Sequence, residues 1–194
     1  MGAYSLKSTI KLYPIMANSL TSLTLWLNYL LTREESGTVL GESLVSLIHL
    51  RQLSLRMDEQ IDGCETSHEA HQQLEETLAF LEFALKPMAS LDALSLSLSF
   101  MISRNFSDVF ASWFRSASGW ERLAKNIPVT LFKALQSFSF DVVLHDLSPY
   151  EYKDEIKKNT AQAIAEIFND TTQMLGEGFQ TTVKFSRDWT WDDI

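Results

Sequence analysis

The chain holds a single cysteine, Cys64, among 194 residues, so no disulfide can form within it. That suits a reducing compartment, and the expected location is intracellular, cytoplasmic or nuclear. Cations are scarce as well: 16 Lys and Arg stand against 25 Asp and Glu, a formal net charge of −9. Affinity for phosphates and anionic headgroups depends on cations meeting them, so neither nucleic acid nor a membrane surface is an expected partner. Long apolar runs are missing too. No stretch of 18 apolar residues offers a membrane span. The opening MGAYSLKSTIKLYPIM lacks a cationic leader followed by an apolar run, so no secretory leader is expected. Gly2 follows Met1, but Leu6 stands where N-myristoylation requires Ser or Thr.

Catalytic signatures are also absent. The 7 glycines spell neither a Walker loop nor G-x-G-x-x-G, and no serine sits in a G-x-S-x-G elbow. Paired carboxylates such as Glu34–Glu35, Glu75–Glu76 and Asp192–Asp193 are adjacent in sequence, which serves solvation rather than shared proton chemistry. No catalytic residue and no cofactor is expected, and the chain reads as a non-enzyme.

One stretch, DEQIDGCETSHE (58–69), imitates a calcium loop. Asp58, Gln60, Asp62, Gly63 and Glu69 fall where the twelve-residue loop places ligands and its turn glycine. Gln60 replaces the usual Asp or Asn, Glu65 occupies a place usually apolar, and the preceding residues alternate as a strand instead of an entering helix. The stretch therefore reads as a polar turn into a helix capped near Thr66 or Ser67. Cys64, His68 and His71 lie close by, but H-E-A-H is one residue short of H-E-x-x-H, and zinc wants three or four ligands. No metal site is expected. His49 and His145 flank strands as packing or surface residues. The tail Trp189-Thr-Trp191-Asp-Asp-Ile is expected to cap the core.

What the chain does contain is a repeated phrase. LTSLTLWLNYL (20–30) fits L-x-x-L-x-L-x-x-N-x-L through Leu20, Leu23, Leu25, Asn28 and Leu30. Leu50, Leu53 and Leu55 repeat it with Asp58 at the Asn place, and Leu91, Leu94 and Leu96 with Ser99 there. Weaker copies run through Leu135, Phe138 and Phe140, through Val183 and Phe185 with Asp188, and through Ile10 and Leu12. Alternation within the phrase predicts a short strand with one buried face.

These residues resemble leucine-rich repeats, and the irregular style is similar to the repeats that follow the F-box in many fungal F-box proteins. The resemblance implies a protein-interaction scaffold, and through that family a substrate-receptor piece of a ubiquitin ligase; no F-box sequence is recognisable in the chain. Steps between copies, counted over Ile10, Leu23, Leu53, Leu94, Phe138 and Val183, are 13, 30, 41, 44 and 45 residues. Regular repeats step by about 20–29.

Helices account for the long steps. HEAHQQLEETLAFLEFAL sets Leu74, Leu78, Leu81 and Leu85 on one face. SDVFASWFRSASGWERLAKNI aligns Phe110, Trp113 or Phe114, Ala117, Trp120, Leu123 and Ile127, with Gly119 a weak point. YKDEIKKNTAQAIAEIFNDTTQML does the same through Ile156, Ala163, Ile164, Ile167 and Phe168, and TVLGESLVSLI (38–48) gives a shorter helix. Strand–helix alternation favours a parallel sheet and an α/β fold. The expected form is a leucine-rich-repeat-like curved solenoid, strands on one face and helices on the other, as a single domain over residues 1–194 or a piece of a longer array. A compact α/β or α+β sheet domain is the alternative, and with it a small α/β enzyme whose site leaves no linear motif.

In parallel register the outward positions form columns. One is predicted to run Thr24, Ser54, Ser95, Ser139 and Lys184; its neighbour runs Trp26, Arg56, Ser97, Asp141 and Ser186. Small hydroxyl residues leave such a face accessible, while Trp and Arg are enriched at binding hot spots. Trp26, Arg56 and Asp141, with Ser54, Ser95, Ser97, Ser139 and Lys184, are therefore the candidate contacts for a protein partner. Oligomeric state is not legible.

Overall fold

A computed structural model describes residues 19–28, 34–59, 67–88, 91–102, 110–124, 135–146 and 153–186. The leucine alternation yields five strands: β1 (Ser22–Asn28), β2 (Gln52–Glu59), β3 (Ala93–Ile102), β4 (Ser137–Asp146) and β5 (Phe179–Ser186). Between them lie α1 (Glu34–Val45), α2 (Ser67–Leu85), α3 (Phe110–Ser116), α4 (Lys153–Ile167) and α5 (Asn169–Leu175). The strands form one all-parallel sheet in sequence order, β1-β2-β3-β4-β5. The chain is an α/β protein.

The inward face carries the core. Leu53, Leu55 and Met57 of β2, Leu94, Leu96, Leu98 and Phe100 of β3, and Phe138, Phe140, Val142 and Leu144 of β4 are all 2% exposed or less. Helices pack on this side. Phe100 meets Phe110, Trp113 and Phe114 of α3 edge-on, at 5.4, 6.2 and 5.9 Å between ring centroids. Phe140 meets Trp120 at 5.6 Å and Phe168 at 5.0 Å. On the edge strands the inward residues Leu23 and Leu25 of β1 and Phe179, Val183 and Phe185 of β5 are only partly buried.

A backbone ladder repeats just ahead of β2, β3 and β4. The Thr21 carbonyl accepts from the Arg51 and Gln52 N–H groups at 2.9 and 3.0 Å. The Arg51 carbonyl accepts from Asp92 and Ala93 at 2.8 and 3.0 Å, and the Asp92 carbonyl from Gln136 and Ser137 at 2.8 and 3.2 Å. Thr21, Arg51 and Asp92 all follow the leading leucine of their phrase, and Gln136 does too. The buried leaders Leu50, Leu91 and Leu135 thus turn each strand in at the same height.

The fifth copy departs from the predicted phrase. β5 sets Phe179 beside Phe138 and Val183 beside Val142, four residues out of the expected alignment. Thr181 stands where the other copies carry Leu or Phe, which hid the true start of the strand. Leu175 is the residue in the leading role, one place early, and a 3-10 turn over Gly176–Gly178 takes up the extra residue. Gly178 belongs there because a Cβ would lie 2.4 Å from the Gln136 carbonyl oxygen. The copy at Ile10 and Leu12 lies outside the described residues.

Two of the predicted long helices are broken. The aromatic helix ends at Ser116 and resumes over 119–124, after a turn at Ala117 and Ser118. Trp120 Nε1 donates to the Phe114 carbonyl across the break at 2.6 Å. The last long helix breaks at Phe168, whose ring is fully buried against Phe138 and Phe140. By contrast α2 keeps its predicted face, with Leu74, Leu78, Leu81 and Leu85 buried.

Glu75 of α2 holds the first break from a distance. Its carboxylate accepts from the Ser118 N–H at 2.5 Å and the Gly119 N–H at 2.9 Å, satisfying two donors at the start of the 119–124 turn. Arg122 lies 3.7 Å from the same carboxylate and 3.2 Å from Glu82. Glu75→Ala removes both acceptors and is expected to cost about 1–2 kcal/mol, the range for loss of a helix cap. Arg122→Ala disturbs half-exposed ion pairs and should cost less than about 1 kcal/mol. Urea titration of the two variants checks the order; equal costs would mean that charge, not capping, is what Glu75 supplies.

Candidate functional site

Because successive strand residues point to opposite sides, burying the leucines turns the residues between them outward. None of those outward residues is buried among the described ones. Ser54, Ser95, Ser97, Ser99, Ser139, Asp141, Val143 and His145 are half-buried, and Thr24, Trp26, Arg56, Gln180, Thr182 and Lys184 are exposed. Parallel sheets are usually covered on both faces. Among the described residues this one presents a polar face instead.

The predicted columns exist over four strands. Thr24, Ser54, Ser95 and Ser139 are direct partners in register, as are Trp26, Arg56, Ser97 and Asp141. On β5 the columns are corrected: Gln180 takes the place predicted for Lys184, and Thr182 the place predicted for Ser186. Lys184 faces outward but lies beside Val143, two residues further along. The four-residue offset of β5 is the cause.

Trp26 is 65% exposed, the most of any large apolar side chain described. The Arg56 guanidinium lies over its ring, 5.1 Å from the centroid, an exposed cation–π contact of the kind worth about 0.5–1 kcal/mol. The contact restrains the guanidinium on the exposed face, where its fork suits a planar acceptor. At the other end of the column the Thr182 hydroxyl donates to the Asp141 carboxylate. Thr182 was not legible as part of the site, since its column depended on the register of β5.

Toward the strand starts the face dips. A depression of about 390 Å³ is lined by Ser22, Gln52, Ser54, Ser95, Ser139 and Gln180, which reach from β1 to β5. Its walls offer hydroxyls, amides and backbone, with Leu53, Ala93, Leu94 and Phe138 adding apolar surface. Such a surface offers hydrogen bonds and apolar contact.

Other candidates lie apart. Among the described residues no group of three or more His, Cys, Asp and Glu is placed to hold a metal ion. His71 sits 3.6 Å from Glu75 one helical turn on, and His49 and His68 are exposed. The loop core 60–66, with Cys64, and the Trp189–Trp191 tail lie outside the described residues. No described helix is long and apolar enough to cross a membrane. No known protein family, curated protein or solved structure matches the chain.

Proposed function

We propose that this chain is a non-catalytic scaffold, a leucine-rich-repeat-like curved solenoid that binds a protein partner on its outward strand face. The observation that carries the reading is the single-sided parallel sheet in sequence order, leucine inward and small polar residues outward. The repeated carbonyl ladder ahead of β2, β3 and β4 supports it, since the same hydrogen bond at the same place in each phrase is what stacked coils require. Trp26 and Arg56 are the anchors, with Asp141 across the face and the serines between them leaving room for a partner's backbone. A role as the substrate-receptor part of a ubiquitin ligase rests on the resemblance of the phrases to the repeats of F-box proteins.

Affinity capture from cell extract tests the reading. Trp26→Ala and Arg56→Ala should each weaken retention of a captured protein by roughly tenfold or more, while unfolding at nearly the parent temperature. If both variants fold and retain every captured protein as the parent does, the face is not the binding surface.

A further inference from the structure

The outward face carries a charge pattern that selects the shape of its partner. Arg56 and Asp141 are partners of Ser97 on either side, so they stand two strand spacings apart in one row. At about 4.8 Å per spacing their backbones are separated by about 9.6 Å across the strands. The Arg56 fork is held on Trp26, and the Asp141 carboxylate is held by Thr182. Only a half-buried serine lies between them.

An extended segment laid along this row matches it poorly. Its same-side residues recur every two positions, about 6.7 Å, then 13 Å. A helix matches well: residues seven apart lie on nearly the same face, about 10.5 Å along the axis. The depression adjoins the row on the side of the strand starts, spanning four strand spacings, about 19 Å, from Ser22 on β1 to Gln180 on β5. That is the length of about thirteen helical residues. Toward the strand ends a helix seated there meets Arg56 and Asp141 first, with Lys184 two residues further along β5; Arg51 and Asp92 stand at the opposite margin, ahead of the strands.

We propose that the partner segment is an α-helix lying across the strands, with an acidic and a basic side chain seven residues apart. The acidic group meets Arg56, the basic group meets Asp141, and small side chains between them rest on the serine floor. This rests on the outward face being the binding surface.

Stapled, alanine-based helical peptides with a fluorescent label test it by anisotropy against the whole chain. Four carry at positions seven apart Glu and Lys, Glu and Glu, Lys and Lys, or Gln and Gln; a fifth spaces Glu and Lys four apart. The parent protein should bind the seven-spaced Glu/Lys peptide at least tenfold tighter than the others. Arg56→Glu should shift the preference to Lys/Lys, and Asp141→Lys to Glu/Glu. The double variant Arg56→Glu with Asp141→Lys should regain Glu/Lys, because the helix can turn end for end. Circular dichroism confirms that each variant folds. Equal binding of all five peptides by the parent, no binding of any up to millimolar concentration, or preferences unmoved by the substitutions overturn the proposal. If capture from extract still depends on Trp26 while the peptides fail, the binding face stands and the helical partner falls.

Discussion

Leu94→Ala is expected to destabilise the protein by about 2–5 kcal/mol, while Ser95→Ala, its neighbour, changes stability by about 0.5 kcal/mol or less. Leu94 is 2% exposed at the centre of the sheet, between Leu53 and Phe138 in register, and truncation leaves a cavity with strands on both sides that cannot collapse into it. Ser95 is on the opposite side, half-exposed, and the methyl of alanine fits where its hydroxyl stood. For a chain of this size each kcal/mol moves the midpoint by about 2–4 °C, so thermal unfolding separates the two variants easily. Comparable losses at both positions would place the register of β3 in error.

Gly37→Val should be at least as damaging, about 3 kcal/mol or more, and even Gly37→Ala should be unfavourable. In an exposed helix interior Gly→Ala gains about 1 kcal/mol. Here the sign reverses, because a Cβ on Gly37 would lie 2.5 Å from the Phe80 carbonyl oxygen, which belongs to α2 backbone and cannot turn aside. Gly41, one helical turn on, has the same constraint, with the Phe83 carbonyl oxygen at 2.8 Å. The two glycines form the seat on which α1 meets α2, and any side chain there pushes the helices apart. Denaturant titration of Gly37→Ala decides the matter: a variant more stable than the parent would mean that the helices do not touch there.

Most of the sheet was legible because its signal is local. Period-two leucines at 53, 55, 94 and 96 announce both a strand and its buried side, and the leading leucine three residues earlier sets the register. That is why Thr24, Ser54, Ser95 and Ser139 could be aligned without a structure. The same rule failed at β5, where Thr181 interrupts the apolar series and the leader comes one residue early. Helix breaks were the other failure. The apolar period of 3.6 runs straight through Ala117–Ser118 and Phe168, since the residues on both sides of each break face the same core. What interrupts the backbone is tertiary: a carboxylate 43 residues away at Ser118, and the ring of Phe168 wedged under β4. The Gly37–Gly41 seat left a visible spacing of four, yet its meaning depends on which helix lies opposite.

The order of the strands has a consequence for how the molecule comes apart. Among the described residues every strand pairs only with its neighbours in the chain, and no long-range clasp joins β1 to β5. Opening β1 forfeits the ladder to β2 and the contacts of half-buried Leu23 and Leu25 and buried Leu27, and leaves the layers around Phe100 and Phe140 untouched. Protection against amide hydrogen exchange is then graded along the sheet, greatest in β3 and falling toward both margins. The exposed anchor Trp26 lies on one of those margins. A partner that grips it would therefore freeze a loosely held margin of the sheet, and part of the binding energy would be spent as local order.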